Sequence, residues 1–301
     1  MEALDRLASL IERYAIVDGT HETAIPRLML VRSSRPTEPA HAIAEPALCL
    51  VAQGRKVAML GDGIYRYDRA RYLLVSADLP LIGHVTEASA ERPYLCVRLG
   101  LDRTLLSSLV VEMAAGARPA PTGTPPGLML TPVAAELADA VARLVALLDR
   151  PSDIPILAPL IEREVLYRLL TGDQHEQARH IAMSDGRLAQ VNRAIDWIRR
   201  NFAEGFRIET VAAEAGMSAS SLHEHFRAVT AMSPLQYQKR IRLQEARRLI
   251  LAEGRDAAQA GFTVGYDSPS QFSREYARLF GAPPLRDVAR IRSDPDGMLV
   301  A

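Results

Sequence analysis

The 301-residue sequence predicts an α+β protein: an N-terminal β-sandwich or barrel with flanking helices, then an all-α C-terminal domain with two helix-turn-helix units. Three observations predict it. A near-duplication spans residues 209–276, serine and aspartate caps mark where its helices begin, and short strand-like runs separated by turn residues fill much of the first hundred positions.

The elements follow in order. Leu4, Leu7, Ile11 and Tyr14 form one face of an opening helix. Residues 28–31, 47–52, 56–60, 64–67, 72–75 and 94–99 are short apolar or alternating runs, and Gly61-Asp62-Gly63 reads as a hairpin turn between two of them. Several strands at this spacing suggest a small sandwich or barrel. Residues near 103–115 look helical, and the stretch 119–132, with five prolines, reads as a loop or linker. Val133, Leu137, Val141, Leu144 and Leu148 recur at fours and threes; packing within the subunit and packing against a second copy explain that stripe equally well. A further helix is predicted over 156–170. The expected boundaries are 1–118 for a sensing or dimerisation domain, 119–184 for a linker and helical segment, 185–292 for the all-α domain and 293–301 for a tail.

Leu188, Val191, Ile195, Ile198 and Phe202 predict the amphipathic helix that opens the C-terminal domain. In the first helix-turn-helix copy Ala212 lies where two helices touch, Gly216 makes the turn, and Met217, Leu222 and Phe226 pack inside. The second copy repeats this with Gly261, Gly265, Tyr266, Phe272 and Tyr276. It carries one extra residue, since Gly216 and Gly265 lie 49 positions apart while Phe226 and Tyr276 lie 50 apart. Ser233-Pro-Leu-Gln236 and Ser268-Pro-Ser-Gln271 have the capping-box layout with proline at N1, and Asp256-Ala-Ala-Gln259 is a variant. The helix from Ser233 should end near Glu253 at Gly254. It then spans roughly 27 to 30 Å. Successive major-groove faces recur every ~34 Å, so such a spacer suits two reading helices on one side of a duplex.

With Leu222 and Phe226 turned inward, the first reading helix exposes Ser220, His223, Glu224 and Arg227; with Phe272 and Tyr276 inward, the second exposes Ser270, Gln271 and Arg274. Arg274 has the donor fork for guanine O6 and N7, and Glu224 can accept from cytosine N4. Ser220, His223, Ser270 and Gln271 complete the candidate base readers, with Gln271 also available to its capping box. Arg227, Arg240, Arg242 and Arg278 are the phosphate candidates. Charge placement agrees: residues 188–292 hold sixteen basic against eleven acidic side chains, while residues 1–187 hold twenty against twenty-three.

Ser233-Pro-Leu-Gln-Tyr-Gln-Lys-Arg-Ile-Arg-Leu-Gln-Glu-Ala-Arg247, Val264-Gly-Tyr-Asp-Ser-Pro-Ser-Gln-Phe-Ser-Arg-Glu-Tyr276 and Phe280-Gly-Ala-Pro-Pro284 resemble the AraC/XylS family of bacterial transcription regulators over about the last hundred residues. Pro46–Val57 and Tyr72–Pro80 are similar to the N-terminal domain of one AraC-type subfamily. The resemblance implies a cupin-like β domain for ligand sensing or dimerisation, promoter or operator DNA and RNA polymerase as partners, a homodimer, and in many members activation of transcription. Two departures stand out. Glu224 replaces the basic residue the subfamily presents there, and Gly261 replaces alanine or serine, at a helix-propensity cost of roughly 1 kcal/mol. Tyr65, Tyr67, His84 and Arg98 are the candidates for an effector pocket.

Other classes find little support. His21, His41 and His84 are isolated, so a metal-dependent cupin enzyme fused to a DNA-binding domain has no ligand set, and His223 and His225 point to different helix faces. No phosphate-binding loop, dinucleotide fingerprint, nucleophile elbow or zinc cysteine pattern occurs, and no cofactor or metal is expected. Repair methyltransferases that share the AraC-type domain need reactive cysteines, whereas this chain has only Cys49 and Cys96, placed in apolar strands as reduced core thiols. A third possibility is a regulator whose N-terminal domain only dimerises. The start Met1-Glu-Ala-Leu-Asp-Arg6 lacks a signal-peptide layout and no run of eighteen apolar residues exists, so a cytoplasmic location is expected.

Overall fold

The computed structural model describes residues 2–113, 123–172, 175–183 and 186–293. The expected boundaries at 118/119 and 184/185, the first residues of the expected linker (119–122) and residues 294–301 of the expected tail lie outside them.

Two antiparallel sheets form the N-terminal half. The larger has the order β1 (Gly19–Glu22), β2 (Leu28–Ser33), β9 (Tyr94–Gly100), β4 (Ala47–Gln53), β7 (Arg71–Val75) and β10 (Leu128–Pro132). The smaller has the order β3 (Ala40–Ala44), β8 (Leu79–Glu87), β5 (Arg55–Leu60) and β6 (Gly63–Tyr67). Helix α1 (Glu2–Tyr14) buries Leu4, Leu7, Leu10 and Ile11 against β2, β4 and β9, which is why β4 is apolar on both faces rather than alternating. Gly61, at φ +57°, opens the two-residue β5–β6 turn, where Leu60 pairs with Gly63.

The expected linker needs correction. Leu128–Pro132 pairs with β7 from Leu128 opposite Val75 to Pro132 opposite Arg71, as the edge strand of the larger sheet. Its proline closes the strand at the sheet edge, where a missing N–H costs the ladder least. The strands β1, β3 and β8, and the short helix α5 (His175–Ala182), were likewise outside the predicted runs.

The apolar stripe starting at Val133 resolves in favour of intrachain packing. Helix α3 (Ala135–Ala146) buries Leu137, Val141 and Leu144 against α1 and α4 (Ile154–Thr171). Helix α2 (Arg103–Met113) packs on α4 and α5. The C-terminal half is helical: α6 (Arg187–Arg200), α7 (Ile208–Ala215), α8 (Ala219–Thr230), α9 (Pro234–Ala252), α10 (Ala257–Thr263), α11 (Pro269–Phe280) and α12 (Pro284–Ser293).

The halves are in contact. Tyr237 Oη of α9 donates to Asp78 O at 2.8 Å, and the Asp78 carboxylate also pairs with Arg199 of α6. Gly127 N donates to Val229 O at 3.0 Å, and Thr124 Oγ1 hydrogen bonds with His225 Nδ1 at 2.7 Å, so the segment leading into β10 holds the C-terminal part of α8.

Candidate nucleic-acid interface

Each reading helix is built by its own caps. Gly216, at φ +66°, ends α7, and Ser218 Oγ accepts from Ser221 N to start α8. In the second unit Asp256 caps α10 through Ala258 N and Gln259 N, and Ser268 Oγ accepts from Gln271 N to start α11 behind Pro269. Among the described residues the full reciprocal capping box forms only at α9, where Gln236 Oε1 takes Ser233 N at 2.9 Å. Gln271 instead sends its side-chain amide to Glu275 Oε1 at 3.2 Å.

The two turns are packed differently because their side chains differ in size. Ala212 and Leu222, both buried, hold the corresponding positions in the first unit, where the second has Gly261 and Phe272. A methyl at Gly261 would stand 2.9 Å from Phe272 Cγ and 3.0 Å from Cδ1, so the glycine makes room for the ring that replaces leucine. The turn glycine of the second unit is also closely held. Gly265, at φ +91°, lies so close to the segment after α6 that a Cβ would meet Ala203 O at 2.2 Å.

Behind the second unit, Arg247 of α9 makes a bidentate pair with Asp287 of α12, at 2.8 and 2.9 Å, and Tyr276 Oη donates to the same carboxylate at 2.9 Å. Asp287 is fully buried, so these partners are what keep its charge tolerable. Lys239 of α9 pairs with Glu275 of α11 at 2.8 Å, and Tyr266 Oη donates to Glu275 at 2.9 Å. Burial opposes the charge of Glu275, yet hydrogen bonds from Lys239, Gln271 and Tyr266 outweigh it and hold the carboxyl below the usual range.

The predicted reading residues lie as follows. Ser220, His223, Glu224 and Arg227 are exposed on α8, and Ser270, Gln271, Arg274 and Arg278 on α11. His223, Glu224, Arg227, Arg240 and Arg278 converge on one cleft of about 870 Å³ between α8, α9 and α11, which Lys239 and Glu275 also line. Ser220, Ser270, Gln271 and Arg274 stand outside that cleft. Burial lowers the pKa of Arg240.

Arg242, expected at phosphate, has another occupation. Its Nε donates to Phe202 O at 2.6 Å, Nη1 to Gly265 O at 2.6 Å and Nη2 to Glu204 O at 2.7 Å. It ties the end of α6 to the turn of the second unit, which explains why Gly265 sits so close to Ala203.

In the sandwich, Tyr67 and Arg98 line a cavity between the sheets; Tyr65 and His84 are not among its lining residues. Register explains His84, since it alternates with Gly83, which does line the cavity. Sequence reading missed Lys56, buried in the same cavity, because a lysine at the start of a strand-like run reads as a solvated edge. Cys49 and Cys96 are free and buried, and burial pushes the Cys96 thiol up to about 12 and raises Cys49 as well, so both are protonated. Cys49 opposes Arg98 and Cys96 opposes Val51, a diagonal rather than direct pairing. Among the described residues no group of three His, Cys, Asp or Glu could hold a metal ion, and no helix is long and apolar enough to cross a membrane.

Comparison with known proteins places this geometry. A family model for the AraC-type transcriptional regulator N-terminus matches residues 24–177, and a helix-turn-helix domain model matches residues 211–289. The transcriptional activator RhaS of Salmonella schwarzengrund is 27% identical over 155 residues, covering 50% of this chain and 54% of RhaS, and RhaS of Escherichia fergusonii is 27% identical over 154 residues. The chain thus spans about half the length of the curated relatives it matches. ToxT of Vibrio cholerae superposes with a TM-score of 0.58 at 12% identity, covering 87% of this chain and 97% of ToxT; a form bound to an unsaturated fatty acid gives 0.55 at 10% identity, over 87% and 93%. Those structures share the fold of both halves. Because the N-terminal family model alone accounts for more than half of the residues, the chain belongs to the AraC-type transcriptional regulators and carries their helix-turn-helix DNA-binding domain.

Proposed function

We propose that this regulator places α8 and α11 in successive major grooves on one face of its operator, and that a small molecule in the sandwich biases this binding. One observation carries the first part: two capped helices with polar outer faces hang from α9, whose 19 residues give a spacer of about 28 Å. Ser220, His223 and Glu224 then read bases from α8, and Ser270, Gln271 and Arg274 from α11. Arg227, Arg240 and Arg278 neutralise phosphate around the cleft they share with Lys239.

The cavity at Tyr67 and Arg98 supports the second part, as does the fatty acid bound by ToxT, a protein of the same fold. An effector there and the operator would share one conformational equilibrium. The work is binding rather than catalysis, in the cytoplasm, with RNA polymerase as the downstream partner and activation as the direction shared with RhaS. Dimerisation is assigned to α4, where Ile156 and Leu160 are 69% and 61% exposed, instead of to the buried face of α3. Nuclease footprinting with purified protein tests the central reading. Protection of two patches about one helical turn apart supports it, and no discrete protected stretch at moderate ionic strength overturns it.

A further inference from the structure

Among the 36 lysines and arginines of the chain only two are lysines, Lys56 and Lys239. The distinction is chemical: a lysine that sheds its proton becomes a nucleophilic amine, whereas a guanidinium stays charged. Lys56 is enclosed, at 3% exposure, while the Lys239 side chain is 42% exposed. Helical spacing places Lys239 on one face of α9 with Gln236, Arg240 and Leu243, and all four line the cleft of about 870 Å³ between α8, α9 and α11. The one lysine open to reagents therefore stands in the DNA-binding cleft.

Its neighbours supply two things an acyl transfer needs. Lys239 Nζ donates to Glu275 Oε1 at 2.8 Å, so a proton acceptor is already in contact with the amine. Arg227, Arg240 and Arg278 line the same cleft, and no hydrogen bond or ion pair reaches their side chains among the described residues. Three unmatched guanidiniums suit the phosphate of a small reagent as they suit that of DNA. Asp62 and Glu224 also line the cleft and oppose an anion there.

We infer that Lys239 is an acylation site, modified by small acyl phosphates that the cleft arginines hold by the phosphate. The ammonium gives one proton to Glu275, which passes it to water. The amine then attacks the carbonyl carbon: the N–C bond forms, the bond from that carbon to the phosphate oxygen breaks, and phosphate leaves with the electron pair and the second amine proton. The products are a neutral amide and inorganic phosphate. Acylation thus removes a cation and leaves the Glu275 carboxylate without it in the cleft, so operator binding weakens. That consequence, unlike the acylation, rests on the reading of the cleft as a phosphate-facing surface.

The test is incubation of the full chain with acetyl phosphate, read by peptide mass spectrometry, with the urea-unfolded chain and the phosphate-free donor phenyl acetate as comparisons. Lys239 should react about tenfold faster in the folded protein than in the unfolded chain, an advantage that added inorganic phosphate removes. With phenyl acetate the advantage should be about fivefold smaller, and Lys56 should stay unmodified in the folded protein. Asp62→Asn should speed the reaction with acetyl phosphate about twofold. Equal rates in folded and unfolded chains, or an equal advantage with both donors, overturns the inference. In gel shifts on footprinted DNA, acetylated protein should bind about tenfold more weakly, with a salt dependence shallower by about one phosphate contact. Lys239→Arg, which cannot be acylated, should give one affinity before and after treatment. Protein that binds DNA equally well before and after complete acetylation of Lys239 refutes this inference alone, and protein acetylated as expected that protects no DNA in either state refutes the regulator alone.

Discussion

Replacing Gly261 by alanine sets two effects of known sign against each other. Helix propensity favours alanine within α10 by roughly 1 kcal/mol. Packing opposes it, because the new methyl stands 2.9 Å from Phe272 Cγ, 3.0 Å from Cδ1 and 3.4 Å from Cβ. These are the inner atoms of a ring held between Tyr266 and Tyr276, at centroid distances of 5.4 and 5.6 Å, so the ring has no free end to swing away. Overpacking of this kind costs about 1 to 3 kcal/mol, and three close contacts on a fixed ring put it in the upper part of that range. The net expectation is a loss of about 1 to 2 kcal/mol. Urea unfolding followed by far-UV circular dichroism would read it as a lower midpoint at unchanged slope. The double variant Gly261→Ala/Phe272→Leu recreates the Ala212 and Leu222 pair of the first unit, so the two substitutions should couple favourably by about 1 kcal/mol or more. If Gly261→Ala alone stabilises by the full propensity difference, or if the two changes add without coupling, the account of the second unit is wrong.

Four further outcomes follow from the same structure. Arg242→Ala forfeits three hydrogen bonds to backbone carbonyls and should lower stability by about 2 kcal/mol, while DNA affinity measured well below the melting temperature stays within about threefold. Arg274→Ala should cost about 1 to 3 kcal/mol of discrimination between operator and random DNA with little loss on random DNA, in competition gel shifts; equal losses on both would remove Arg274 from the base readers. His41, edge-on to Phe280 at 5.0 Å, has its pKa pushed down to about 4 by burial and by Arg247 and Arg240, so contact between the halves is fully favoured above the ordinary histidine value of 6.5 and lost as pH falls from there toward 4. The effect should be about 2 kcal/mol by pH 5, seen as an acid-side fall in melting temperature that His41→Phe flattens. Asp62, in the β5–β6 turn, lines the cleft shared with Arg227, Arg240 and Arg278, and Asp62→Asn should tighten binding to all DNA about twofold to threefold, an effect that fades with added salt.

What was legible in the sequence was what local chemistry decides. Ser218, Ser233, Asp256 and Ser268 cap helices through atoms three residues away at most, so their signals survive without knowledge of the tertiary structure. The inward aromatics Phe226, Phe272 and Tyr276 are likewise set by helical period. The misses share an opposite cause. Leu128–Pro132 is a strand because β7 supplies its partners from more than fifty positions away, and nothing within a proline-rich run announces that. Arg242 lies on a helix face that sequence reads as outward, but the carbonyls of Phe202, Glu204 and Gly265 meet it only in the folded domain. Gly261 reads as a propensity defect until Phe272 is seen against it.

The two reading helices are not held alike, and this asymmetry bears on how a signal would pass between the halves. The C-terminal end of α8 is bound to the sandwich side by three separate devices: Gly127 N on Val229 O, Thr124 on His225, and the Gly61 turn, where an added Cβ would stand 2.8 Å from Ala231 Cβ. The second unit hangs mainly on α9 and α12, through Arg242, Lys239 and the Arg247–Asp287 pair, and meets the sandwich at the His41–Phe280 contact. A rearrangement of the sheets therefore acts on α8 directly, and on α11 chiefly through the rigid length of α9. On the proposed reading, in which both helices enter grooves about 34 Å apart at once, a shift of α8 alone is enough to spoil the register of the pair. On that proposed reading, control of the operator needs no unfolding and no large domain rotation, only a change in how the segment before β10 and the β5–β6 turn grip one helix.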